Sequence, residues 1–366
     1  TVFVVGSIFA AFADSMIELV IGRALQGIGA IASTLMALVT DLTVEDNRSK
    51  AMAIIGGSIG FAFILAMMLG PIITIYLGLS GVFWVTGSLG LVGIFIVLFI
   101  MPKISNPIRN RESDADIQQI GALLKDRTLT RLNIGIFALH FALMAAFLVI
   151  PSILATELSL DTQDLPLVYL GLLGGGFFLM LPALIWAEKY SKQKLMLLLA
   201  ISAMAATSFI LGAHRAMFVT PCVMLIFFAA FNLLEAALPS WLSKSCPAGN
   251  RGSAMGIYST SQFLGSFFGG LLGGLALQYF GVDMLFYLVG SILAIWWFAS
   301  LSLQPPRPLQ TLVLGVGELK HQEFIKIVSN ITGVKDILLV RHENLAYVQV
   351  DRSQVDMGSL QPYFNR

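Results

Sequence analysis

Charged residues are scarce in this sequence, which excludes an ordinary soluble domain. Lys, Arg, Asp and Glu make up 12% of the 366 residues, whereas soluble domains carry about 25%. The formal net charge is +1, so no basic field favours a nucleic-acid partner. Hydrophobic residues account for 57% of the chain. This composition is typical of a polytopic membrane protein embedded in a lipid bilayer.

Cysteines and the common catalytic motifs are also rare. Cys222 falls in an apolar segment and Cys246 in a polar loop, so we expect no disulfide framework. The sequence contains no phosphate-binding Walker loop, dinucleotide fingerprint or arrangement of nucleophile and base. We therefore expect no enzyme, no cofactor and no metal site. An ion gradient is then the expected source of energy.

Apolar segments dominate the chain and are long enough for membrane helices rather than barrel strands. They cover roughly residues 1–14, 16–40, 51–76, 82–101, 132–156, 166–187, 194–213, 217–243, 253–279 and 283–303. A polar stretch separates the first four segments from the last six. Many transporters consist of two similar halves. We therefore expect an all-α membrane fold with about two further helices before Thr1.

The loops divide the chain into four regions with different surroundings. These are an N-terminal helical half (1–101), a linker (102–131), a C-terminal helical half (132–303) and a tail (309–366). Lys and Arg concentrate in the linker and in the loops on its side, while Arg215 alone lies in the loops opposite. The basic side is predicted to be cytoplasmic. The C-terminus is then cytoplasmic as well.

The tail has the pattern of a small α+β domain. A strand, an amphipathic helix, two alternating strands and a last helix are predicted at residues 311–316, 318–331, 337–340, 346–350 and 357–364. Phe324, Ile327, Val328 and Ile331 share one face of the first of these helices. This order predicts a ferredoxin-like domain that folds independently.

An arginine interrupts the second apolar segment. Arg23 shares a helical face with Gln26 and Gly27. A charge at membrane depth is costly, so we predict that Arg23 lines a polar cavity on the transport pathway. The small Gly27 is expected to let another backbone come close. The alternative is an arginine that extends to the membrane interface.

Two titratable residues lie deep in the C-terminal half. Glu235 is nine residues, or about 13 Å of helix, from Lys244. A carboxyl group at this depth can take up and release a proton near neutral pH. Asn232, one turn earlier on the same face, is expected to hydrogen-bond either this carboxyl group or the substrate. His140 is a second candidate for cavity lining or proton relay. The alternatives are a structural acid at Glu235 and a packing residue at His140.

Several motifs resemble those of the major facilitator superfamily. Arg23-Ala24-Leu25-Gln26-Gly27-Ile28-Gly29-Ala30 resembles the family's fourth-helix motif. Asp41, with Asn47-Arg48-Ser49-Lys50-Ala51-Met52, resembles the loop between helices four and five. Gly56, Gly60, Gly70 and Pro71 resemble the fifth-helix motif of its proton-driven antiporters. The tail and the stretch Leu65-Ala66-Met67-Met68-Leu69-Gly70-Pro71-Ile72-Ile73-Thr74 narrow the resemblance to YajR-type transporters.

The resemblance implies a fold and a set of gating residues. Residues 1–101 then contain helices three to six, and residues 132–303 contain helices seven to twelve. Asp41 and Arg48 are expected to gate, and Gly60, Gly70 and Pro71 to pack closely and let the fifth helix kink near its outer end. The family's arginine that pairs with Asp41 belongs to a loop expected before Thr1. The implied location is the bacterial inner membrane.

These observations predict a proton-coupled secondary transporter, an exporter of small organic compounds that works by alternating access. Its expected partners are lipid, protons and a small-molecule substrate, with a ligand or protein partner for the tail. One alternative is a membrane sensor that signals through the tail. Another is a metal exporter, against which stands the lack of cysteine in residues 304–366.

Overall fold

A computed structural model provides the structure of the protein. It describes residues 1–29, 45–101, 117–156, 164–246, 251–304, 309–317, 321–340, 345–351 and 354–364. Within these ranges, each of the ten predicted apolar segments contains helix. Six helices of the described chain are long and apolar enough to cross a membrane.

The chain begins with two helices that pack against each other, α1 (Val2–Ala11) and α2 (Met16–Ile28). A capping box starts α2, because the Ser15 side chain accepts from the Glu18 N–H and the Glu18 carboxylate accepts from the Ser15 N–H. The sequence thus fixes where the chain turns into the helix that carries Arg23.

The remaining helices before the tail follow in chain order. They are α3 (Glu45–Phe95), α4 (Ile117–Lys125), α5 (Arg127–Phe147), α6 (Ile150–Thr156), α7 (Leu165–Tyr169), α8 (Gly175–Lys189), α9 (Gln193–Ala213), α10 (Val219–Ser245) and α11 (Arg251–Ser300). Short π-helical turns extend α3 over Ile96–Ile100 and join α7 to α8 over Leu170–Gly174.

The two longest helices, α3 and α11, are each bent at one glycine. Gly78 has φ +67° and Gly281 has φ +81°, and both have ψ near 180°. This left-handed region suits glycine, which has no Cβ to clash. Each bend separates two predicted apolar segments, so the same turn joins the third to the fourth and the ninth to the tenth. The two halves therefore repeat this feature.

The linker is shorter than the sequence predicts. Residues 117–125 form α4, and α5 already begins at Arg127, five residues before the predicted boundary. Asp126 is the reason, because its carboxylate accepts hydrogen bonds from the N–H groups of Thr128 and Leu129. Polarity alone had assigned this first helical turn to the linker.

The largest buried core lies in the C-terminal half. Phe141, Phe227, Phe228 and Phe286 are among its fully buried side chains. The N-terminal half has a smaller buried cluster in the described residues, formed by Ala10, Ala11 and Phe83.

The tail forms a three-stranded antiparallel sheet of β1 (Leu309–Gly315), β2 (Val334–Val340) and β3 (Leu345–Asp351), in the order β1-β3-β2. Helix α12 (His321–Ser329) joins β1 to β2, and α13 (Met357–Leu360) follows β3. Since β1 and β2 are both antiparallel to β3, they are parallel to each other and enclose β3 between them. The predicted βαββα order is confirmed.

The helix face that covers the sheet differs slightly from the prediction. Phe324 and Val328 are fully buried, Ile331 is half-buried, and Ile327 is 40% exposed. Ile327, predicted to share this face, thus lies at its exposed edge, because α12 is short and presents a narrow stripe to the sheet.

The last helix of the tail begins at a capping carboxylate. Asp356 accepts hydrogen bonds from the Ser359 hydroxyl at 2.6 Å and the Gly358 N–H at 3.1 Å. These bonds, the Ser359 bond above all, hold the pKa of the Asp356 carboxyl below its usual value.

Candidate functional site

A close helix crossing positions the candidate site. Helix α11 presents Gly265, Gly269 and Gly273 to α5. A Cβ on Gly269 would lie 2.5 Å from the carbonyl oxygen of Phe141, and one on Gly265 would overlap the carbonyl of Phe137. These glycines therefore allow a backbone-to-backbone contact between α11 and α5.

We expect Gly265→Ala to destabilise the protein, because the added methyl group meets main chain that cannot turn away. Overpacking of this kind costs about 1–3 kcal/mol. The apparent melting temperature in detergent should fall by several degrees. Gly270→Ala is the matched control on the same helix, since its Cβ meets nothing within 4 Å. Equal melting temperatures for the two variants would contradict a rigid crossing.

The crossing brings three polar side chains together inside the C-terminal half. Gln262 lies one turn before Gly265 on α11, and its Nε2 is 2.8 Å from Nε2 of His140 on α5. The same Gln262 nitrogen donates to Oε1 of Glu235 on α10 at 3.2 Å. The structure thus unites His140 and Glu235, which the sequence had treated as separate candidates.

The carboxylate and the imidazole also face each other directly. Oε2 of Glu235 is 3.8 Å from Nδ1 of His140, beyond hydrogen-bonding distance. Neither atom has a hydrogen-bond partner among the described residues. The Glu235 side chain is 38% exposed and that of His140 is 12% exposed. Glu235 therefore has one side towards open space and one oxygen turned to a buried histidine.

Tyr258 and Asn232 complete the surroundings of the carboxylate. Tyr258 is 4% exposed and lies within electrostatic range of Glu235. Asn232 directs its amide to the main-chain carbonyl of Leu173 at 3.4 Å, not to the Glu235 carboxylate. Asn232 thus links α10 to the π-helical turn at Leu170–Gly174. Its predicted role as the hydrogen-bond partner of Glu235 is not seen.

Sequence reasoning missed Gln262 and Tyr258. Both belong to the run Tyr258-Ser259-Thr260-Ser261-Gln262, which is unusually polar for an apolar segment. That run was the available signal. It did not say which side chain would meet His140, because this depends on the helix crossing.

Arg23 belongs to a second group of hydrogen-bonded polar side chains, in the N-terminal half. Its Nη1 donates to Oε1 of Gln26 at 2.8 Å, and Nε2 of Gln26 donates to Oγ of Ser7 at 2.7 Å. Gln26 and Ser7 are buried, whereas Arg23 is exposed. The buried amide therefore holds the guanidinium at the surface of the α1–α2 pair.

The close approach of α1 and α2 uses a different face from the predicted one. A Cβ on Gly22 would lie 2.8 Å from Ala10, and one on Gly29 would overlap the main chain of Phe3. A Cβ on Gly27 would meet nothing within 4 Å. The close approach expected at Gly27 is thus not found among the described residues. Gly22, Gln26 and Gly29 form the contact face, because they recur at helical spacing towards α1.

Only some of the predicted gating residues lie among the described residues. Asp41 lies outside the described residues, as does the side chain of Arg48. Gly60 lies within α3. A Cβ on Gly70 would meet nothing within 4 Å, so none of the described helices packs closely there. The bend of α3 is at Gly78 rather than at Gly70 or Pro71.

Gly70 and Pro71 instead line a cavity between the two halves. Its volume is about 580 Å³, and it is lined by Ala66, Gly70, Pro71, Thr74, Ile75, Pro151, Leu165 and Tyr169. Helices α3 and α7 meet beside it, at the end of the molecule predicted to face outward. The two halves are therefore in contact at that end.

Comparison with known proteins gives consistent matches over the whole chain. The model of the Major Facilitator Superfamily matches residues 1–211 and also residues 132–342. The chain is 38% identical over 353 residues to Inner membrane transport protein YajR of Escherichia coli strain K12, covering 96% of this chain and 78% of that protein.

Two other matches are more distant. The chain is 31% identical over 98 residues to Multidrug resistance protein 3 of Bacillus subtilis strain 168, covering 26% of this chain and 19% of that protein. The crystal structure of the human organic anion transporter MFSD10 matches with a TM-score of 0.56 and 17% identity, covering 81% of this chain and 74% of that one. The last match concerns the fold alone.

Proposed function

The chain belongs to the major facilitator superfamily, whose members are transporters rather than enzymes, and from this premise we propose that it is a proton-coupled exporter of small organic compounds. It moves its substrate by alternating access, with the two halves opening in turn to each side. Protons move in the opposite direction and supply the energy.

The observation that carries the proposal is the pairing of Glu235 with His140. Both groups can be protonated, and both lie inside a bundle whose core is mostly apolar. Buried ionisable groups are expensive in a membrane protein and mark ion pathways. The open side of Glu235 gives protons access to the carboxylate, and His140 faces the other carboxylate oxygen from the buried side. Conformational change that closes the open side would trap the proton.

The location and the tail follow from the same family membership. We place the chain in the bacterial inner membrane, as the name of the Escherichia coli relative states for that protein, with the tail in the cytoplasm. The split β1-α12-β2 unit around β3 supports a ferredoxin-like tail. Its lack of cysteine favours a regulatory or ligand-binding role over thiolate metal binding.

Two observations suggest the class of substrate. One relative is named a multidrug resistance protein. The cavity between the halves has mostly apolar walls, formed by residues such as Pro71, Ile75 and Leu165. Amphipathic organic compounds fit such surroundings.

Transport into acid-inside proteoliposomes tests the proposal. A binding screen of amphipathic dyes and drugs first selects a compound. A gradient of one pH unit is worth about 1.4 kcal/mol per proton, so one-for-one exchange should accumulate that compound about tenfold. A protonophore should abolish the accumulation. Flux that ignores the pH gradient would contradict proton coupling, and binding without flux would favour the sensor.

A further inference from the structure

The side-chain amide of Gln262 contacts both His140 and Glu235. Nε2 of Gln262 is 2.8 Å from Nε2 of His140 and 3.2 Å from Oε1 of Glu235. A primary amide nitrogen carries two N–H groups and accepts nothing. Both contacts are therefore made with Gln262 as the donor.

This geometry determines the tautomer of the imidazole. When Nε2 of His140 accepts a hydrogen bond, it carries no proton, so the neutral ring holds its proton on Nδ1. Nδ1 is the nitrogen that faces Oε2 of Glu235 at 3.8 Å. The proton is thereby placed on the side of the ring that faces the carboxylate.

We propose that Gln262 is a positioning residue that fixes His140 in the Nδ1–H form, so that the ring presents a hydrogen-bond donor, and not a proton acceptor, to Oε2 of Glu235. Gln262 itself gains and loses no proton. Among the described residues, neither Nδ1 nor Oε2 meets hydrogen-bond geometry with another group, although the main-chain carbonyl of Ile136 competes for the proton on Nδ1. Tyr258 is a further titratable group near the carboxylate in this part of the structure.

The helix crossing explains how Gln262 keeps this position. Gly265 and Gly269 lock α11 against α5 one and two turns beyond Gln262. Gln262 and His140 therefore lie on helices that cannot slide apart without breaking a backbone contact. Glu235 comes from α10, a third helix, so its distance from His140 can change more freely.

The inference rests on the proposed function for its role in transport, but its test needs neither substrate nor gradient. The full-length protein is labelled with nitrogen-isotope histidine and measured in lipid at alkaline pH, where imidazole is neutral. Protonated and unprotonated ring nitrogens give well-separated signals. The chain has four histidines, and a His140→Asn variant identifies the signals of His140.

We expect the wild-type ring of His140 to be protonated on Nδ1. Gln262→Leu removes both donated hydrogen bonds, so the preference should be lost and Nε2–H signal should appear. Ser266→Ala is the matched control, because its hydroxyl bonds only to the main-chain carbonyl of Gln262 in the described residues. This variant should keep the wild-type signals.

Two outcomes would overturn the inference. An Nε2–H ring in the wild-type protein would mean that the amide oxygen faces His140. An unchanged tautomer in Gln262→Leu would mean that another group fixes the ring. Neither result depends on flux, so failure here is distinguishable from failure of proton-coupled transport, which the proteoliposome experiment measures.

Discussion

Proton-driven accumulation should be abolished by Glu235→Gln, while binding and exchange of the transported compound remain largely intact. Glutamine keeps the size of the side chain and resembles a carboxyl group that never releases its proton. The variant can then carry substrate through both access states but cannot exchange a proton for it. The expected loss is the whole accumulation that the pH gradient supports, about tenfold per unit for one proton.

The measurement compares uptake into acid-inside proteoliposomes with exchange at equal pH. Glu323→Gln is the matched control, because it makes the same chemical change on an exposed position of the tail helix α12. It should leave both activities unchanged. If Glu235→Gln still accumulates substrate with the wild-type dependence on the pH gradient, Glu235 is structural. His140 then becomes the candidate for coupling.

The main features of the fold could be predicted from the sequence because each depends on a local pattern. Apolar length determines the membrane helices, and the alternation of the tail gives its strands and their order. Gly265, Gly269 and Gly273 form a local pattern of the same kind, since they recur every four residues. Helical spacing placed these glycines on one face, and a face without side chains admits another backbone.

The composition of the site was less predictable because it depends on contacts between distant segments. The apolar surroundings of Glu235 and His140 identified each as a candidate, but nothing local predicts that α5 and α10 place them 3.8 Å apart. Gln262 was missed for this reason. Its role comes from the crossing of α11 with α5, and the polar run to which it belongs does not say which side chain it meets.

The glycines of α2 are a second case in which the sequence does not show which residue makes the contact. Gly27 and Gly22 are equally small, and the sequence favoured Gly27 because it shares a face with Arg23. The structure uses Gly22 and Gly29 for the close approach to α1. On the face with Arg23, a Cβ on Gly27 would meet nothing within 4 Å among the described residues. An exposed charge and a tight backbone contact are thereby separated onto different faces of α2.

Replacement of Arg23 should reduce transport strongly without changing the amount of protein in the membrane. The guanidinium is exposed, while the buried Gln26 accepts from one of its five N–H groups and Ser7 in turn holds Gln26. These two hydrogen bonds fix the orientation of the Arg23 guanidinium. A hydrogen bond to a charged group contributes about 1.5–3 kcal/mol, so we expect Arg23→Ala to lower the transport rate at least about tenfold.

Arg23→Lys separates the effect of charge from that of shape. Lysine keeps the positive charge but loses the planar fork that can bond Gln26 and a ligand together. Transport should therefore fall strongly in this variant too. Arg131→Lys is the matched control, because Arg131 contacts a main-chain carbonyl at Ser302, away from the Gln26 chain. Surface expression of all variants is measured beside flux in the full-length protein. Normal flux in Arg23→Ala would exclude an essential role, and Arg23 would then be a residue that anchors α2 at the membrane interface.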